Sequence, residues 1–367
     1  MDRRSLIKNA GLAGVLAAGV APAVHAQAAV RWRMATSFPK SLETLHGAGV
    51  KFAETVKALS GGKFEVSVHA AGELMPAFGI VDALSEDTIE MGLTAAYYYT
   101  GKDPAFAFSC AVPFGLTAGQ NQAWKEHGNG RKLLNELFAK YNFQTLSALN
   151  TGTQMGGWYR KEIKSPADFK GLKMRLGGGV FGESMAKLGV VAQNMPVGEV
   201  YQALEKGTLD AVEFVGPYDD EKLGYNKVAK YYYYPGFWEG GPQISLYVNQ
   251  KNWAALPKEY QTILEDACLY AHAEMQARYD AKNPTALKQL VGSGTQLRPF
   301  PNEVMAAAFK AANELYEETA ASNPKFKKIY EAWKKFRDEQ LQWFAVAENR
   351  FDNFMQAARS ASAKAKK

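Results

Sequence analysis

The chain has 367 residues, 43 Lys and Arg against 37 Asp and Glu, a formal charge of +6 and two cysteines. The length suggests two domains, and a basic surplus this small, spread along the chain, does not describe a nucleic-acid surface. Cys110 and Cys268 are too few and too far apart for a disulfide framework. An oxidising compartment permits one bridge between them, while the apolar context of each suits two buried thiols.

The first residues read as an export signal. Asp2 to Lys8 (DRRSLIK) carries a twin-arginine pair, and an apolar run follows from Ala10 to Val20. That run is well short of the roughly 20 residues of a membrane span. Val24-His25-Ala26 offers a cleavage site, and Ala26-Gln27-Ala28 a second. Residues 1–26 are therefore expected to be a twin-arginine signal peptide, and the mature chain to be exported, most simply to a Gram-negative periplasm. Its loss removes Arg3, Arg4, Lys8 and Asp2, which brings the charge to +4. No later stretch is long and apolar enough to cross a bilayer.

In the mature chain, Val30–Ser37 alternates as a strand and Leu42–Leu59 is an amphipathic helix ended by Gly61-Gly62. Phe64–His69 is a strand, Met75–Ser85 a helix and Glu90–Ala95 a strand leading into Tyr97-Tyr98-Tyr99; together they make a βαβαβ unit with parallel strands. Ala118–Tyr141 reads as one long helix and Thr145–Asn150 as a strand. From Leu149 to Asp220 short apolar runs alternate with helical ones: strand Leu172–Leu176, helix Val180–Gly189, strand Val190–Gln193, helix Val197–Lys206, strand Ala211–Val215. Tyr231–Tyr234 with Phe237-Trp238 reads as an aromatic loop, Ile244–Asn249 as a strand, and Pro257–Lys282 and Asn302–Thr319 as helices. Lys325–Ser360 holds no Gly or Pro and carries an apolar stripe through Phe326, Ile329, Trp333, Phe336, Trp343, Ala347, Phe351 and Phe354, interrupted at Gln340. A helix of about 36 residues would span roughly 54 Å, longer than the domain it covers, so its overhang calls for a second copy. The other reading is a helix that bends at Gln340 and wraps its own subunit. The run of lysines at Ala363–Lys367 reads as a solvated end.

Motifs of catalysis are missing. His46, His69, His127 and His272 are scattered without HExxH or HxH spacing, and there is no GxSxG, P-loop or CxxC. Gly177–Gly182 matches GxGxxG between a strand and a helix, with Glu199 about 20 residues on. A dinucleotide fingerprint, however, opens the first βαβ unit of its domain, and this one sits mid-chain. A glycine run that lets the backbone approach a ligand is the better reading.

Three polar side chains lie at or near strand ends: Gln154, Arg175 and Glu213. Ligands of open α/β sheets bind where strands end, so the three can converge on one crevice. A guanidinium grips a planar carboxylate through two parallel hydrogen bonds. Glu213 would repel that carboxylate unless a proton or cation lies between them, and Gln154 and Glu213 offer the oxygen donors that hard cations prefer. A monovalent cation with the arginine balances Glu213 and the ligand; a divalent ion leaves one extra positive charge. Singly, each side chain is more often a surface ion pair or a solvated acid.

The stretch Ser165-Pro-Ala-Asp168-Phe-Lys-Gly171-Leu-Lys-Met-Arg175, followed by Leu188-Gly189, Pro196, Glu199, Tyr201, Leu204, Gly207 and Asp210-Ala-Val-Glu213, resembles the solute receptors of tripartite ATP-independent periplasmic (TRAP) transporters. The likeness covers nearly the whole mature chain, including Gly72-Glu-Leu74 and Leu256-Pro257. It implies a two-lobed α/β periplasmic binding protein, type II-like, with long helices and an extended C-terminal helix, whose closure the transporter's membrane subunits detect. The boundaries expected are 27–148 with 244–293 for one lobe, 149–243 with 294–324 for the other, and 325–367 for the C-terminal helix. Glu213–Gly224 and Gly101–Phe106 are similar to the 2-oxo-acid and lactate receptors of the family.

In that branch the resemblance implies that Arg175 pairs with the ligand carboxylate, while Gln154 and Glu213 hold a metal cation, Na⁺ or Ca²⁺, that joins protein to ligand. Many family members have Asn in place of Glu213 and Arg in place of Gln154. Phe214 stands where Trp is common, and its backbone oxygen would ligate the ion; Gln243 is a further candidate ligand. Tyr97, Tyr98, Tyr99 and Phe237 are candidates for the apolar wall, and Tyr98 is the one retained. The ligand expected is a 2-oxo or 2-hydroxy monocarboxylate of pyruvate or lactate size, and the branch is similar in forming homodimers through the C-terminal helix. The rival readings are a periplasmic enzyme of small carboxylates and a receptor for a larger dicarboxylate.

Overall fold

Two six-stranded sheets organise residues 29–365, the part of the chain that a computed structural model describes. The twin-arginine leader, its cleavage sites and the last two lysines lie outside the described residues. The chain begins with β1 (Val30–Thr36), α1 (Leu45–Leu59), β2 (Phe64–His69), α2 (Ile80–Ser85) and β3 (Met91–Ala95). β1 pairs in parallel with β2 and with β3, as a βαβαβ unit requires. α1 forms because Leu45, Ala48, Phe52 and Val56 recur at three- and four-residue steps, and that stripe is buried. The helix expected over Met75–Ser85 is confined to its second half.

The long helix expected over Ala118–Tyr141 is two, α3 (Ala118–His127) and α4 (Gly130–Phe138). Asn129 between them takes φ +66°, and a Cβ on Gly130 would lie 2.6 Å from the Trp124 ring, so the reversal needs its glycines. β4 (Phe143–Thr145), β5 (Leu149–Asn150) and the later β11 (Gln243–Asn249) complete the first sheet in the order β2-β1-β3-β11-β4, with β5 also on β11. Leu149, Asn150 and Gln243 thus belong to the first sheet, although the sequence placed them in the second lobe.

The second sheet contains β6 (Trp158–Tyr159), β7 (Lys173–Arg175), β8 (Val191–Gln193), β9 (Ala211–Val212), β10 (Tyr231–Tyr234) and β12 (Gln296–Pro299), in the order β12-β10-β6-β9-β7-β8. α5 (Gly179–Ala186), α6 (Val197–Glu205) and α7 (Pro217–Leu223) fill the connections. β10 corrects the expected aromatic loop: four tyrosines in succession fit a pleated surface, and β10 pairs with β6 on one side and β12 on the other. Phe237 and Trp238 pack with Phe300 and Phe181 in the core of this lobe.

After α8 (Gln250–Ala255), α9 (Lys258–Gly292) crosses from one lobe to the other, packing on both α1 and α7. It runs past the end expected at Lys282 and includes Pro284, whose missing N–H removes one hydrogen bond from its interior. α10 (Asn302–Ser322) covers α5. The C-terminal helix is broken, but at Ala347 rather than Gln340, into α11 (Pro324–Val346) and α12 (Glu348–Ala365). The first half of the expected stripe, Phe326, Ile329 and Trp333, is buried against the first lobe. The second half is bare: Trp343 is 60%, Phe351 65% and Phe354 68% exposed. Cys110 and Cys268 are free and buried.

Candidate functional site

Besides α9, the chain passes between the sheets through two short segments, 151–157 after β5 and 235–242 after β10. They run side by side, held by Gln154 N to Glu239 O (3.1 Å), Gly236 N to Gln154 O (3.2 Å) and Thr151 N to Pro242 O (3.2 Å). A Cβ on Gly236 would sit 2.5 Å from Gln154 O, so that approach is open to glycine alone. Gln154 lies on the first segment and Glu239 on the second.

β7 and β9 run in parallel beside one another and deliver Arg175 and Glu213 to the same end of the second sheet. Arg175 Nη1 donates to the Glu213 backbone oxygen at 2.6 Å and lies 3.6 Å from its Oε2. Its Nε reaches Met195 O at 3.4 Å and its Nη2 reaches the Tyr98 hydroxyl at 3.5 Å. Phe214 lies under the guanidinium, ring centroid 5.5 Å from Cζ. Tyr98 comes from the first lobe, where its ring packs on Phe78. Burial pushes its hydroxyl up to about 12, with Arg175 pulling the other way, so it stays a neutral donor. Of its neighbours, Tyr99 bonds Thr94 and Tyr97 lies against Gly177.

Gln154, Arg175, Glu213, Glu239 and Gln243 are each 3% exposed or less. Gln154 Nε2 donates to Thr151 Oγ1, which leaves Oε1 without a hydrogen-bond partner. Both carboxylate oxygens of Glu213 and both of Glu239 are likewise unpartnered. Burial raises Glu213 well above the carboxylate range, Glu239 adding to the rise and Arg175 opposing it. Burial raises Glu239 to about 7, with Arg175 pulling the other way. Two enclosed acids beside one guanidinium require a shared proton or a cation. Among the described residues no three His, Cys, Asp or Glu side chains gather as a metal site. The two carboxylates and the Gln154 amide oxygen are buried, unpartnered oxygen donors of the kind that Na⁺ and Ca²⁺ take.

Four of the expected residues, Arg175, Glu213, Phe214 and Tyr98, are in mutual reach, and Gln154 is tied to Glu239 by the crossover. Gln243 starts β11 and turns its Nε2 to Gln122, with Oε1 unpartnered; its hydrogen bonds do not reach the Arg175–Glu213 pair. The glycine run closely approaches the other lobe. A Cβ on Gly177 would meet the Tyr97 ring at 2.7 Å, and one on Gly179 the Thr100 side chain at 2.4 Å. Glu239 was missed. Its signal in the sequence is an acid set between an aromatic pair and two glycines, Phe237-Trp-Glu-Gly-Gly241.

A monocarboxylate 2-oxoacid-binding periplasmic protein of Nostoc sp. is 48% identical over 325 residues, 89% of each chain. A TRAP transporter solute binding protein of Bordetella bronchiseptica, a dimer crystallised with calcium and picolinate in one site, superposes with a TM-score of 0.90 at 48% identity, covering 92% of this chain and all of that one. A TRAP periplasmic solute binding protein of Pseudoalteromonas atlantica with bound sodium and pyruvate gives a TM-score of 0.85 at 36% identity, over 88% of this chain and 98% of that one. The family described as bacterial extracellular solute-binding protein, family 7, matches residues 35–323, and this chain belongs to it.

Proposed function

We propose that the chain is the periplasmic receptor of a TRAP transporter, binding a small 2-oxo or 2-hydroxy monocarboxylate together with a cation. The observation that carries this is a buried guanidinium next to two buried, unpartnered carboxylates. Arg175 holds the ligand carboxylate, with Tyr98 donating beside it. Gln154 Oε1, Glu213, Glu239 and the Phe214 backbone oxygen hold the cation, and Gln243, next along the same crossover, is a further candidate. Bound there, the ion supplies the positive charge that lets the ligand's carboxylate and α-oxygen sit against Glu213.

Glu239 changes the charge balance that the sequence implied. With both acids ionised, a divalent cation and Arg175 neutralise them and the ligand; with Glu239 protonated, a monovalent cation does. Charge-assisted hydrogen bonds are worth about 1.5–3 kcal/mol each, and only those made in the closed state move the lobes. The bare face of α12, with Leu341 and Trp343 of α11, serves a second copy of the chain, so truncation after Val346 is expected to leave a monomer in sedimentation.

Calorimetry with pyruvate and with lactate, each with Na⁺, Ca²⁺ or chelator, tests the reading. Tight, cation-dependent binding without turnover of the acid is expected. Cation-independent binding, or conversion of the acid to product, would overturn it.

A further inference from the structure

A buried polar cluster outside the site lies where both lobes meet α9. Thr44, which precedes α1 in the first lobe, donates from Oγ1 to Asp219 Oδ1 at 2.5 Å, and Tyr279 of α9 donates to Asp219 Oδ2 at 2.6 Å. Asp219 sits on α7 of the second lobe. Thr44, Asp219 and Tyr279 are fully buried. Around them is an exposed rim: Glu43 pairs with Lys222 at 2.7 Å and accepts from Tyr218 at 2.9 Å, and Lys282 reaches Tyr218 at 2.7 Å. Exposed pairs of this kind add little, so the buried bond decides.

The neighbouring acid faces the other way. Asp220 Oδ2 accepts from Trp158 Nε1 at 3.0 Å and from the Tyr232 hydroxyl at 2.7 Å, both in the second sheet. Its Oδ1 accepts from Val215 N at 3.4 Å. Val215 O in turn accepts from Met155 N at 2.9 Å. Two consecutive aspartates on a short helix therefore connect the first lobe to the segments that carry Glu213, Phe214 and Gln154.

We infer that Thr44 and Asp219 form an interlobe clasp that favours the closed arrangement of the lobes and is linked through Asp220 to the strand end that holds the ligand. Separation of the lobes strips Thr44 from a buried carboxylate, which must then be rehydrated. An interaction present in one state alone shifts the equilibrium toward that state. α9, which packs on α1 and α7 and contains Pro284 beside Asn283, the acceptor of the Tyr218 N–H, is the member across which the clasp works. Thr44 and Asp219 are positioning residues: neither touches the Arg175 cluster.

The inference rests on the receptor reading for its ligand, so its test is arranged to separate the two. Thr44→Val keeps the volume and removes the donor, and Thr44→Ser restores the donor. With Ca²⁺ present, Thr44→Val is expected to weaken pyruvate binding about ten-fold, chiefly through faster dissociation, and Thr44→Ser to stay within about two-fold of the wild type. Equal affinity and dissociation rate in all three would overturn the clasp. Should the wild type bind no 2-oxo acid, the receptor reading falls and the clasp is still judged on ligand-free protein by hydrogen exchange of amides 218–224. Faster exchange in Thr44→Val than in Thr44→Ser supports it, and equal exchange overturns it.

Discussion

Two pairs of buried acids, Asp219 with Asp220 and Glu213 with Glu239, are treated in opposite ways. Asp219 and Asp220 are met by donors from Thr44, Tyr279, Trp158, Tyr232 and the Val215 amide. Glu213 and Glu239 have no hydrogen-bond donor on any of their four oxygens. A buried carboxylate without partners is destabilising, whereas one with a full set of donors is part of the scaffold. The aspartates are thus completed by the fold itself. The glutamates are completed only by something that enters, and the guanidinium beside them says that it brings a carboxylate as well as a cation.

The contrast is broken most completely at Arg175. Arg175→Ala leaves the glutamates with no positive neighbour and the ligand with no grip; pyruvate binding by calorimetry should be lost, a fall of at least about 100-fold, since removing one partner of a buried pair costs about 3–5 kcal/mol. Unchanged affinity would refute the assignment. Glu213→Ala comes next: most of the affinity should go, and what remains should no longer respond to Na⁺ or Ca²⁺ against chelator. A variant that still needs the cation as the wild type does would move the ion to other residues.

Arg175, Glu213 and Gln154 were legible in the sequence because each is a polar residue at or near the end of a recognisable apolar run, and strand ends converge in this class of fold. Glu239 was not. It lies in an aperiodic crossover, and only the antiparallel pairing with the Gln154 segment brings it into the site. The break in the helix over Ala118–Tyr141 could have been read from Gly128-Asn-Gly130, whereas Ala347, where the C-terminal helix breaks, carries no local sign. Helix α9 runs on through Pro284, since packing on α7 sustains a helix that local preference would end. Nothing in the sequence separates Asp219–Asp220 from an ordinary first-turn acidic pair; the donors come from residues up to 175 positions away.

The smallest expected effect is on stability and comes from the satisfied pair. Burial raises Asp220 to about 7, with Tyr232 and Trp158 holding it down, whereas an unfolded aspartate titrates near 3.9. The folded chain therefore keeps a proton that the unfolded chain releases. Asp220 contributes its full stability below about pH 4 and loses it as the pH rises through about 7, by at most about 4 kcal/mol. Asparagine at 220 mimics the protonated acid: its oxygen can accept from Tyr232 and Trp158, and it does not titrate. Asp220→Asn should accordingly gain on the wild type, by a few degrees in melting temperature, between pH 4.5 and pH 7.5 in ligand-free protein. A melting difference that stays constant across that window would mean that the second pair is held ionised by its donors, and that full hydrogen bonding outweighs burial at one pair of acids just as its absence exposes the other.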